Sequence, residues 1–274
     1  MNEEEALLAA IKAAHPDDDT CRLVYADWLD EHDRGGHAAA TRLAVELRRT
    51  MPRDDDTPTQ TWCSQHAELM QDVATNAMDW FGEPLVDWLA GPQEINTKYR
   101  REAGFDRGML VLKGAPFQLN DALAHRLKQY TTKLVVTGQQ GGPSHLRHAI
   151  MNMEVKELSF YSGRHSVLTV MRQFIDDPDR SSCMLEYVDF GGSVTNYMLM
   201  GLCGWTDYDA ASLREVRVGP GRLGTELSKW DDPRAKADLV ESLLHQYRNR
   251  ATNTPGGKAA IKKVKYCPLT YWRF

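Results

Sequence analysis

The chain has 274 residues, of which 42% are hydrophobic and 26% charged, with a formal net charge of −5. This is ordinary soluble composition, long enough for one large core or two smaller ones. Its five cysteines (Cys21, Cys63, Cys183, Cys203, Cys267) include no C-x-x-C pair, which argues against a thiolate metal site or a disulfide framework. No apolar run nears the roughly 20 residues a membrane helix needs, and Met-Asn-Glu-Glu-Glu is unlike a secretory signal, so a cytoplasmic location is expected.

Residues 3–14 predict a helix with Leu7, Leu8 and Ile11 on one side, stopped at His15-Pro16. Asp17-Asp18-Asp19-Thr20 then offers capping oxygens and negative charge to the next helix. A cation loop is the competing view, but it needs a turn that aims several oxygens inward, usually with a glycine. The second helix places Leu23, Val24, Trp28 and Leu29 inward, with Arg22, Asp27, Asp30 and Glu31 on the other face. A third helix is expected over 38–50. Residues 51–61 are polar and proline-flanked, which predicts a flexible linker. Helices over 62–76 and 83–90 then form a helical junction that extends to residue 104.

The run His15-Pro16-Asp17-Asp18-Asp19-Thr20-Cys21-Arg22-Leu23-Val24-Tyr25-Ala26-Asp27-Trp28-Leu29-Asp30-Glu31 resembles the repeat-companion domain of planctomycete-type bacteria. The resemblance covers about residues 3–48. It implies a helical module, here residues 1–50, that heads a leucine-rich-repeat protein. It implies no reaction, since the family has no assigned biochemical role. The sequence departs from the family at Asp33-Arg34-Gly35-Gly36-His37-Ala38, where the family has Gly-Asp-Pro-Arg. The start of the third helix is therefore expected to differ.

From residue 105 onward an apolar pattern recurs: Leu110-Leu112, Leu134-Val136, Val155-Leu158-Phe160, Leu185-Val188-Phe190, Leu213-Val216-Val218 and Ile261-Val264-Tyr266. Between Leu110, Leu134, Leu158, Val188 and Val216 the intervals are 24, 24, 30 and 28 residues. A period in the twenties is the mark of stacked strand-plus-helix units. Helices are expected at Asn120–Tyr130, Ser144–Met153, Val167–Asp176, Thr195–Gly204 and Arg234–Arg250, and this alternation predicts a parallel sheet. The expected fold class is thus α/β, a helical module followed by an irregular leucine-rich-repeat-like solenoid with a curved parallel sheet over 105–274. Gln139, Gly163, Ser193 and Gly221 stand where standard repeats place Asn, so irregular turns are expected.

Residues between the strand's apolar positions point to the opposite face. They include Lys133 and Val135; Glu157, Ser159 and Tyr161; Tyr187 and Asp189; Arg214, Glu215 and Arg217; Lys263 and Lys265. Tyr and Arg suit interface anchors. The expected partner-binding set is Glu157, Tyr161, Tyr187, Asp189, Arg214, Arg217, Lys263 and Lys265, on a non-enzymatic scaffold or adaptor for another protein. A merely solvated sheet face is the competing view. The charge is uneven as well. Residues 1–33 hold ten carboxylates against Lys12 and Arg22, whereas residues 249–274 hold six basic residues and no carboxylate. Lys258, Lys262, Lys263, Lys265, Tyr266, Tyr271 and Trp272 therefore suggest an alternative, a nucleic-acid-binding accessory subunit.

Other patterns carry less. Gly219-Pro220-Gly221-Arg222-Leu223-Gly224 has dinucleotide-loop spacing, but no helix is expected to open directly after it. His145 and His148 lack an evident third ligand. No catalytic residue, metal or cofactor is expected.

Overall fold

The computed structural model describes residues 2–50, 59–91, 101–137, 142–160, 186–189, 214–218 and 264–266. It is a mixed helix-and-strand fold in which five helices precede a sheet. Helix α1 (Glu3–Ala13) starts at a capping box: the Asn2 Oδ1 accepts from the Glu5 amide at 2.8 Å and the Glu5 carboxylate from the Asn2 amide at 3.0 Å. Glu3, Glu4 and Glu5 sit at the positive end of its dipole. Helices α2 (Thr20–Glu31) and α3 (Gly35–Arg49) follow. Leu8, Ile11, Tyr25, Ala26, Leu29 and Ala38 bury together and are closed from beyond the three helices by Met109.

Two details of α2 differ from expectation. Val24 points outward at 49% exposed, and Arg22 is buried. The amphipathic stripe is rotated because the inner side of α2 meets a polar feature, the hairpin turn described below, and not only apolar side chains.

Helix α4 (Gln60–Phe81) begins at Thr59, whose side chain accepts from the Trp62 amide at 3.2 Å, so its first residues fall inside the expected linker. The rest of that linker, 51–58, lies outside the described residues. Gly82, at φ 75°, ends α4 and opens α5 (Glu83–Ala90).

Strands β1 (Glu102–Asp106) and β2 (Met109–Gly114) form an antiparallel hairpin, and β1 had no counterpart in the repeat pattern. Its two central turn residues, Arg107 and Gly108, lie at φ 50° and 90°, the handedness that a tight two-residue hairpin demands. Beyond β2 come α6 (Pro116–Leu119), α7 (Ala122–Arg126), a short 3-10 turn (Lys128–Tyr130), β3 (Thr131–Val136), α8 (Gly142–Met153), β4 (Glu157–Phe160), β5 (Tyr187–Asp189), β6 (Glu215–Val218) and β7 (Val264–Tyr266). The single helix expected over Asn120–Tyr130 is broken instead. Asp121 caps the start of α7, accepting from the Ala124 amide at 3.0 Å, and past Arg126 the chain tightens into i to i+3 bonds, the Leu127 amide donating to the Ala124 carbonyl at 2.9 Å and the Tyr130 amide to the Leu127 carbonyl at 3.1 Å.

The sheet order is β1-β2-β3-β4-β5-β6-β7, with every pair from β2 to β7 parallel. Each strand therefore adds beside its predecessor in chain order. One register row reads Leu112, Leu134, Leu158, Val188, Val216 and Val264. The first four of these share one core with Trp88 of α5, Leu119 of α6, Leu127, and Leu146 and Ile150 of α8. The connecting helices of β2–β4 thus cover one face of the sheet. Helices expected over Val167–Asp176, Thr195–Gly204 and Arg234–Arg250, and the glycine run at 219–224, lie outside the described residues. No described helix is long and apolar enough to cross a membrane.

Candidate partner-binding site

The face opposite this core is organised in two register rows. Parallel pairing aligns Lys133, Glu157, Tyr187 and Glu215 in the first row. The second runs Val135, Ser159, Asp189, Arg217 and Lys265. In-register parallel strands place equivalent residues side by side, so both rows follow directly from the repeat period.

The first row is closed, contrary to the expectation of an open docking surface. Tyr187 is 3% exposed and Lys133 6%. Lys133 Nζ meets Glu157 Oε1 at 2.7 Å with both side chains largely withdrawn from water. The ring of His15 packs edge-on against Tyr187, centroids 5.1 Å apart. In the second row, Val135 and Ser159 are buried too, and the Ser159 hydroxyl has no hydrogen-bond partner among the described residues. Tyr187 is therefore buried within the fold, and the half-buried Glu157 is engaged by Lys133.

The helical module is what reaches this edge. Lys12 Nζ donates to the Lys128 carbonyl at 3.0 Å and the Met153 carbonyl at 2.8 Å, capping the chain just ahead of β3 and β4. Burial pushes its ammonium down to about 8. Arg22 donates to the Asp106 carbonyl at 2.9 Å and meets the Asp106 carboxylate at 3.2 Å. Arg107 binds Asp106 at 2.8 Å, Asp19 at 2.6 Å and the Pro16 carbonyl at 2.9 Å. Burial alone would raise the Asp106 carboxyl, but Arg107, Arg22 and Arg48 outweigh it and hold it well below the usual carboxylate range. Asp17 pairs with Arg48, and Asp19 also reaches Arg49 at 3.2 Å. The aspartate run thus does more than cap. Asp18 accepts from the Thr20 amide at 2.9 Å, whereas Asp19, the N-cap residue, makes no capping bond and spends its carboxylate on arginines.

Of the remaining expected contacts, Arg214 is exposed, its side chain 65% accessible, and joins Glu186 at 2.7 Å. Glu186 in turn meets Lys156 at 2.8 Å, so alternating charges line the strand entrances. Asp189, Arg217 and Lys265 occupy successive register positions on β5, β6 and β7. Tyr161 and Lys263 lie outside the described residues. His145 and His148 are both exposed on α8, and no group of three or more metal-ligating side chains occurs among the described residues.

Sequence reasoning missed His15, Arg22 and Arg107. The last had one signal, the glycine that follows it at position 108, since a two-residue hairpin turn needs φ above zero. Comparison with known proteins adds no relative: no family model, no curated protein and no solved structure matches the chain.

Proposed function

We propose that this chain is a non-enzymatic scaffold or adaptor, a repeat-companion-like helical module joined to an irregular leucine-rich-repeat-like solenoid that binds another protein in the cytoplasm. The observation that carries this is the parallel sheet built strand by strand in chain order, with equivalent positions in register. Repetition of one unit generates extended surfaces suited to recognition. Because Tyr187 is buried within the fold and Glu157 is engaged by Lys133, the docking positions move to Asp189, Arg217 and Lys265, with Arg214 at their rim. A protein presenting carboxylates opposite Arg217 and Lys265 fits that end of the sheet.

The adjacency of Arg217 and Lys265 in register also favours a second reading, a nucleic-acid-binding accessory subunit. Affinity capture with the full chain and with an Arg217→Glu/Lys265→Glu variant separates the two. The expected result is one protein held by the parent after nuclease treatment and reduced about tenfold in the variant. Capture that disappears with nuclease transfers the function to nucleic acid. Equal capture by both forms would overturn the assignment of this face.

A further inference from the structure

We infer that a second, separate docking surface lies between α3 and α4, and that it receives a basic amphipathic helix from a partner protein. A cleft of about 500 Å³ opens there, lined by Ala39, Ala40 and Leu43 of α3 and by Glu68, Leu69, Gln71, Asp72 and Thr75 of α4. The two helices run antiparallel: Trp62 at the start of α4 donates to the Leu47 carbonyl near the end of α3, while Gly36 sits beside Trp80. The small residues of α3 create the depression. Ala39 and Ala40 stand where bulkier side chains would fill the space between the helices. The α4 wall presents Glu68, Asp72 and Thr75 at helical spacing, which makes a straight acidic rim over an apolar floor. Met78, 60% exposed, lies one turn beyond Thr75 on the same side of α4.

Charge decides the occupant. Helices α4 and α5 contain Glu68, Asp72, Asp79, Glu83 and Asp87 and no lysine or arginine. Every arginine of α3 is turned away from the cleft. Arg42 holds Asp27 at 2.7 Å and Asp30 at 2.6 Å, Arg48 pairs with Asp17, and Arg49 meets Asp19 at 3.2 Å. Arg126 answers Asp87 and Glu83 at the far end. A groove with an apolar floor and an acidic wall, whose Glu68 has no ion-pair partner among the described residues, fits a helix that places leucine-like residues inward at i, i+3 and i+4 and lysine or arginine alongside. An acidic helix is repelled by the same wall.

The test uses the full chain and a synthetic amphipathic peptide of about 18 leucine and lysine residues, long enough to form helix, with a leucine and glutamate peptide of the same pattern as control. Fluorescence anisotropy reads the affinity, and hydrogen exchange reads the location. The lysine peptide is expected to bind and to protect α3 and α4, and to weaken about tenfold against Glu68→Lys. Ala39→Trp, which fills the cleft from an exposed position, is expected to abolish binding. Both substitutions are at the surface, and circular dichroism verifies that helix content is kept. Equal affinity for the parent and both variants, or equal binding of the glutamate peptide, would overturn the inference. So would concentration-dependent dimerisation that Glu68→Lys abolishes, since the occupant would then be a second copy of this chain.

Discussion

Arg107 donates to Asp19 at 2.6 Å, joining the β1–β2 turn to a residue 88 positions earlier in the chain. Both side chains are buried, and Arg107 also neutralises Asp106. Removing one member of such a set strands the others without a partner. Arg107→Ala is therefore expected to lose about 3–5 kcal/mol of stability, read by urea unfolding. The pH response carries the same information. Asp106 titrates well below its ordinary 3.8 in the fold, so its contribution is present above that value and is lost as pH falls below it. Arg107→Ala should flatten this acid limb. An unchanged limb would exclude Asp106 as its source.

His37 gives a second pH dependence in a different window. Its ring stacks on Trp80 at 4.8 Å and is edged by Phe81 at 5.2 Å and Tyr25 at 5.9 Å. Burial, with Arg34 nearby, pushes it down to about 4 from 6.5. The unfolded chain then binds the extra proton between those values, so stability is full above 6.5 and declines as pH falls towards 4. The loss is about 3 kcal/mol by linkage. His37→Gln should abolish the slope between pH 6.5 and 4 while leaving the limb below it. Unfolding midpoints across pH measure both.

Much of this architecture is readable from the residues. Helices α1 to α5 and α8 and strands β2 to β7 are signalled by apolar spacing and turn residues, and Leu134, Leu158 and Val188 fall in register as their period implies. The candidate site is less legible. Alternation assigns Glu157 and Tyr187 to the face opposite the core, but only tertiary packing brings His15 onto Tyr187 and closes that face. Arg22 illustrates the same limit: a charged residue on an amphipathic helix reads as exposed until a carbonyl and a carboxylate appear opposite it. Long-range charge pairing has no periodic signature.

Gly108 is constrained twice over. Its φ is 90°, and an added Cβ would lie 2.8 Å from the Thr41 hydroxyl. Its carbonyl accepts from His37 Nε2 at 3.1 Å, so the turn cannot shift freely to relieve the clash. Gly108→Ala is expected to destabilise by about 2–4 kcal/mol, combining the left-handed penalty with the contact. Trimming Thr41 to Ala in the same chain should recover the steric part alone. The double-mutant cycle therefore leaves a coupling energy of about 1 kcal/mol or more. Strict additivity would mean that the contact contributes nothing.

The Lys133–Glu157 pair decides whether the first row serves the fold or a partner. At 2.7 Å and largely out of water, the two charges lie on neighbouring parallel strands. Lys133→Met leaves the Glu157 carboxylate without its counter-charge and should cost about 3–5 kcal/mol. Replacing both, as Lys133→Met/Glu157→Leu, removes the desolvation penalty along with the attraction. That double variant is expected to return to within about 1 kcal/mol of the parent, or above it. Thermal unfolding compares the three proteins, and the capture experiment with the double variant then isolates function. A pair that serves only the fold leaves partner capture unchanged in the double variant. Loss of capture without loss of stability would restore Glu157 to the docking surface.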